Sequence, residues 1–190
     1  MRVFVLSLLT LVGPVLAAED YRAMAQVIQA SWGISPSLAV ACNYDSNRES
    51  VQRLANAFGG ACHVTVVDIR NPDHAGRAQG ILIRLRPDLM VLMATDPCVR
   101  DGSFTATKLV HGLRTAGIPS AGTSSAALKQ GALFAIGEGT AGALLVNEGQ
   151  VGTIGPPKEL MDQLIELRKR SQAGATDLER PVHVRVISLK

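Results

Sequence analysis

Asn43, Tyr44 and Asp45, then Asp96, then Thr123, Ser124 and Ser125 form polar clusters that each follow an apolar run. Their types suit the holding of a small polar molecule. Carboxylates and amides take an amine or sugar hydroxyls, while hydroxyls beside free N–H groups at a helix start seat a carboxylate. Each of these residue types also caps helices and turns, so each one taken singly keeps that structural alternative. Nothing comparable points to catalysis. The four histidines (His63, His74, His111, His183) are dispersed, with no HxxxH or HExxH spacing. No pair stands out as general acid and base. Gly122-Thr123-Ser124-Ser125-Ala126 ends in alanine where a hydrolase elbow needs glycine. Gly137-Glu138-Gly139-Thr140-Ala141-Gly142 has the letters GxGxxG, yet it follows a fifth strand, and Gly149 and Gly155-Pro156-Pro157 deny it a long helix. It reads as a glycine-rich turn. No catalytic residue, metal or cofactor is expected.

The elements that position these clusters alternate along the chain. Tyr21 to Trp32 reads as a helix, Leu38 to Cys42 as a strand. Ser46-Asn47-Arg48-Glu49 matches a capping box, followed by Val51, Leu54, Ala55 and Phe58 at helical spacing. Cys62 to Ile69 is a second strand. Asn71-Pro72-Asp73 opens a helix that must stop before Pro87. Leu89 to Ala94, Ile118 to Ala121 and Ala132 to Ile136 are further strands, separated by a helix over 101–116 and a short one capped by Thr123-Ser124-Ser125. Continuous apolar strands alternating with amphipathic helices require a parallel sheet covered on both faces. The expected fold is α/β, doubly wound, with five strands in the order 2-1-3-4-5. Beyond it come a hairpin (Gly142 to Val146 and Gln150 to Ile154 through Asn147-Glu148-Gly149), a helix from Pro156 and an edge strand over Pro181 to Leu189. In such a sheet ligands bind beyond the carboxyl ends of the strands, where the polar clusters fall.

The start of the sequence reads as a secretory signal peptide: Met1-Arg2, an apolar run from Val3 to Val12, Pro14, and Val15-Leu16-Ala17 before Ala18-Glu19. Cleavage is expected after Ala17, with Ala18 as the alternative. That leaves residues 18–190 as one exported, periplasmic domain. Nineteen Lys+Arg against sixteen Asp+Glu give a net charge of only +3. These charges are scattered, and Arg168-Lys169-Arg170 sits at a helix end, so nucleic acid is not an expected partner. Three cysteines are an odd number for an oxidising compartment. Cys42 and Cys98 both fall at the carboxyl edge on neighbouring strands and are the only intramolecular pair to entertain as a disulfide, whereas Cys62 begins its strand at the other edge.

Leu38-Ala39-Val40-Ala41-Cys42-Asn43-Tyr44-Asp45, Arg86-Pro87-Asp88, Thr95-Asp96-Pro97, Gly117-Ile118-Pro119 and Lys129-Gln130-Gly131-Ala132-Leu133 together resemble the periplasmic substrate-binding proteins of ABC transporters. The likeness is to an uncharacterised branch with the type I binding-protein fold, over roughly residues 36 to 140. That resemblance implies binding of a small solute, with Asn43, Asp45, Asp96, Ser124 and Ser125 lining one wall of a cleft. The family is two-lobed, and this sequence has room for one lobe. The expectation is therefore a single-lobe solute-binding-like protein. A homodimer or a membrane transporter or sensor protein would supply the other wall. Two alternatives stand beside it: a periplasmic regulatory or interaction protein without a small ligand, and a flavodoxin-like enzyme.

Overall fold

Alternation along each strand decides which core its side chains enter, because successive residues of a strand point to opposite faces. In β1 (Ser37–Cys42), Leu38, Val40 and Cys42 join one core, and Ala39 and Ala41 the other. In β2 (His63–Asp68), Val64 and Val66 go one way and Val67 the other. β3 (Leu89–Leu92) repeats the division, with Leu89 and Val91 opposed to Met90 and Leu92. Burial on both faces is what the unbroken apolar runs demanded. The computed structural model describes residues 21–33, 35–100, 102–136, 144–148, 151–154 and 184–189. The leader expected over 1–17, the glycine-rich turn at 137–142 and the helix from Pro156 lie outside them.

Among the described residues, two long helices cover each face. α1 (Tyr21–Trp32) places Met24, Val27 and Ile28 into the first core, and α2 (Tyr44–Ala57) adds Val51, Leu54 and Ala55. On the other face a 3-10 turn at Pro72–His74 leads into α3 (Ala75–Leu85), which buries Ala78 and Leu82. α4 (Phe104–Thr115) buries Ala106, Leu109, Val110 and Leu113 there. Each fully buried leucine, isoleucine, valine or methionine among these is worth about 1.5–3 kcal/mol. β4 (Ser120–Gly122), the single-turn α5 (Ala126–Lys129) and β5 (Phe134–Ile136) follow. Phe134 meets Trp32 with ring centroids 6.4 Å apart, tying β5 to α1.

The order 2-1-3-4-5 runs through the middle of the sheet, all of it parallel. Two additions extend it. β6 (Leu144–Glu148) and β7 (Val151–Ile154) form the antiparallel hairpin beyond β5. β8 (Val184–Ser188) pairs in parallel with β2 at the opposite edge. The parallel part therefore has six strands rather than five. The hairpin strands run further than expected, since Asn147 pairs with Gly152 and Glu148 with Val151.

One local expectation is corrected. α2 starts at Tyr44, not after a Ser46 cap. Asn43 is the N-cap, with extended backbone and a side chain that accepts from Ser46 N at 3.3 Å. The asparagine starts the helix a turn earlier by taking the Ser46 amide, and Ser46 becomes part of the helix.

Candidate functional site

The loops leaving β1, β2, β3 and β4 meet at the carboxyl edge, and a single carboxylate ties two of them together. Asp96 is fully buried. One of its oxygens accepts the Asn43 amide at 2.7 Å and the Asn47 side-chain amide at 2.6 Å. The other accepts the Cys98 amide at 2.8 Å and the Val99 amide. Burial pushes the Asp96 carboxyl above its ordinary range, against the pull of those four donors. A carboxylate so engaged has no lone pair pointed at a ligand. The expected wall residue is a fastener that holds the β3–α4 loop against the start of α2.

Asp68, at the end of β2, performs a similar task. One of its oxygens accepts the Tyr44 amide at 2.9 Å, and the other accepts Arg70 Nε at 2.9 Å. Arg70 extends further, with Nη2 3.0 Å from Asp45 on the first turn of α2. Asp68 first and Asp45 second hold the guanidinium charge more firmly than usual. Asp45 also stands 3.7 Å from Arg48, whose guanidinium lies 5.4 Å from the Tyr44 ring centroid.

The candidate residues consequently divide. Asn43 and Tyr44 are half-buried and Asp45 is exposed, all on the rim at the end of β1. Thr123 and Ser124 are buried, and Thr123 Oγ1 accepts the Ala94 amide at 2.8 Å, joining β4 to the end of β3. Ser125 is exposed but makes no side-chain cap, and α5 behind it is one turn long. The expected Thr123-Ser124-Ser125 cap is thus not made by Ser125. Neither Asn47, Asp68 nor Arg70 stood out in the sequence. Asn47 belongs to the expected capping box, Asp68 to the end of the expected second strand, and Arg70 to the connection after it. Only the fold reveals that they share partners with Asn43 and Asp45.

The candidate Cys42–Cys98 disulfide is not formed. All three cysteines are free and buried. Cys42 packs in the core under α1 and α2, whereas Cys98 packs in the core under α3 and α4, so the sheet separates their environments. Burial, followed by Asp96, raises the pKa of both thiols. Cys62 donates to the Pro36 carbonyl at 3.0 Å, and its thiol is pushed up to about 12, chiefly by burial.

Neither protein-family models nor curated protein sequences match the chain. Solved structures do. A conserved domain protein from Vibrio cholerae O1 biovar El Tor superposes with a TM-score of 0.52 at 13% identity. An ABC domain in complex with L-Trp from Streptococcus pneumoniae superposes with a TM-score of 0.50 at 11% identity. Each comparison covers 88% of this chain and 50% of the other, so the chain spans half the length of either structure. At these identities the likeness is one of fold.

The start of α2 has a chemical consequence at this edge. In doubly wound sheets, the amides that open a helix beyond the first strand are a ready seat for phosphate. Here Asn43 N and Tyr44 N already donate to Asp96 and Asp68. Carboxylates and the Asn43 cap thus occupy the Asn43, Tyr44 and Ser46 amides at the helix opening. What the edge leaves exposed is Asp45 with its ion pairs and the serines at 46 and 125, beside the half-buried Asn43 and Tyr44.

Proposed function

We propose that this chain is an exported, single-lobe, solute-binding-like protein of the ABC-transporter type, which holds a small polar ligand at the carboxyl edge of its sheet. The observation that carries this reading is the rim itself. Asp45 and Ser125 are exposed, and Asn43 and Tyr44 half-buried, on loops fastened by Asp96, Asp68 and Thr123. Preorganised loops over a rigid sheet cost little ordering entropy when a ligand binds. The fold shared with an ABC domain that was solved with L-Trp supports a small-solute ligand. The occupied amides at the α2 opening favour such a solute over a phosphorylated cofactor, and hence a binder over a flavodoxin-like enzyme. The chain spans half the length of either neighbour, and in this reading a second copy or a membrane partner faces the rim as the other wall. The leader-like start of the sequence supports the periplasm as its compartment.

Thermal unfolding of residues 18–190 with pools of amino acids, sugars and nucleosides tests the reading. A ligand at 100 times its Kd stabilises the folded state by about 2.7 kcal/mol and raises Tm accordingly. Flat Tm values across every pool would discard ligand binding.

A second reading has one observation in its favour. Phe104 opens α4 on the same edge and is 83% exposed, an aromatic side chain that a docked partner would bury. An interaction protein that docks through this edge would bury it. Sedimentation of the wild-type chain and Phe104→Ser with and without candidate partners separates this reading from the first.

A further inference from the structure

We infer that Arg70 is the anion-binding residue of the site, that its ligand group is a carboxylate, and that Asp45 is the internal anion this carboxylate displaces. The inference rests on the ligand-binding reading above and names the chemistry of that site.

The argument begins with how Arg70 is held. Its Nε donates to Asp68, a buried carboxylate whose other oxygen is fixed by the Tyr44 amide. The anchor therefore belongs to the sheet rather than to a mobile side chain, and it sets the plane of the guanidinium. An arginine oriented in this way presents a preformed fork, the geometry that matches a carboxylate with two parallel N–H···O bonds. Its five N–H donors are not exhausted by Asp68 and Asp45, which engage Nε and Nη2.

Asp45 behaves differently from Asp68. Its side chain is 55% exposed, and it is shared between Arg70 at 3.0 Å and Arg48 at 3.7 Å. Ion pairs this exposed contribute little, because water and salt solvate both partners. A ligand carboxylate that takes over Nη2 thus loses little by displacing Asp45, which keeps Arg48 as a neighbour. The group that fits is a carboxylate rather than a phosphate. A phosphate would present a further charged oxygen to the start of α2, where the Asn43 and Tyr44 amides are already occupied.

The test compares four probes in thermal shift and calorimetry on residues 18–190: free L-amino acids, the matching amino-acid carboxamides, neutral sugars and inorganic phosphate. The wild-type chain should respond to the amino acids and not to their carboxamides. Asp45→Asn frees the fork and should tighten that binding about 2- to 5-fold, the range an exposed ion pair spans. Arg70→Gln should weaken it at least about 10-fold, as expected for losing charged hydrogen bonds. Should Arg70→Gln fail to fold, because Asp68 loses its partner, Asp45→Asn decides alone: unchanged or weaker amino-acid binding overturns the inference. Binding of sugars or carboxamides that both variants leave untouched overturns the role of Arg70 and keeps the ligand-binding reading. A response to phosphate alone overturns the carboxylate. Silence from every probe removes both the inference and the reading beneath it.

Discussion

Asp96 concentrates in one side chain most of what holds the carboxyl edge in place. Replacing it by alanine strands the amides of Cys98 and Val99 and the side chain of Asn47 in buried surroundings. An unsatisfied buried donor costs about 1–3 kcal/mol, so the loss should total about 3 kcal/mol or more. Asp96→Asn should cost less, since it keeps one acceptor oxygen while turning an NH2 group toward donors. Urea denaturation of the two variants checks the ranking, and equal midpoints for Asp96→Ala and wild type would refute the fastening role. This role was hidden in the sequence for a physical reason. The donors on Asp96 include Asn43 and Asn47, about fifty residues away, and no local pattern announces a bond over that separation. Asp96 read as a ligand group because a lone aspartate after a strand has the same appearance whether it turns inward or outward. Arg70 gives no local signal for the converse reason. A charged loop residue usually belongs to a solvated surface, and only the convergence of Asp68 and Asp45 on one guanidinium gives it direction.

At the scale of elements, strands were legible and helix starts less so. Strand identity follows from continuous apolar runs, which the double burial of β1, β2 and β3 explains directly. Helix starts depend on which of several polar residues reaches an orphan amide, and Asn43 outcompeted Ser46 at α2. α4 offers a cleaner case. Ser103 Oγ accepts the Ala106 amide at 3.1 Å, so Ser103→Ala should cost about 1 kcal/mol. Ser125 makes no such bond, and Ser125→Ala should stay within about 0.5 kcal/mol of wild type. The contrast is read by thermal unfolding of the pair, and a larger loss from Ser125→Ala would contradict the capping assignment. The end of α3 allows a gain. Arg86 is the only non-glycine with positive φ among the described residues, at 46°. A side chain in the left-handed region costs about 1–2 kcal/mol, which glycine avoids at an entropic cost of about half that. Arg86→Gly should therefore stabilise the protein by about 0.5–1 kcal/mol, as a rise in the urea midpoint. A fall would mean that the Arg86 side chain contributes more than its strained backbone costs.

For the molecule as a whole, the sheet order through β5 was readable because parallel strands with helical connections leave few arrangements. The pairing of β8 with β2 was not readable, because an edge strand of alternating valines fits either side of a sheet. The two cores that this sheet separates give the cysteines a global consequence. Cys42 and Cys62 are fully buried, and burial raises both thiol pKa values, that of Cys62 to about 12 from an ordinary 9.0. Because the folded value lies above the unfolded one, the folded chain keeps these protons longer than the unfolded chain does. Their contribution to stability is complete below about pH 9 and disappears as pH rises from 9 toward 12. Within that window each thiol should remove about 1.4 kcal/mol of stability per pH unit. Lysines and tyrosines titrate in the same range, so the decisive quantity is a difference between variants. Cys62→Ala loses some packing at every pH, which lowers the whole stability curve, but it should also flatten the curve between pH 9 and 11 relative to wild type. Urea denaturation at half-unit pH steps measures this slope. Parallel curves for wild type and Cys62→Ala would show that the thiol ionises freely, which its complete burial against the Pro36 carbonyl does not permit.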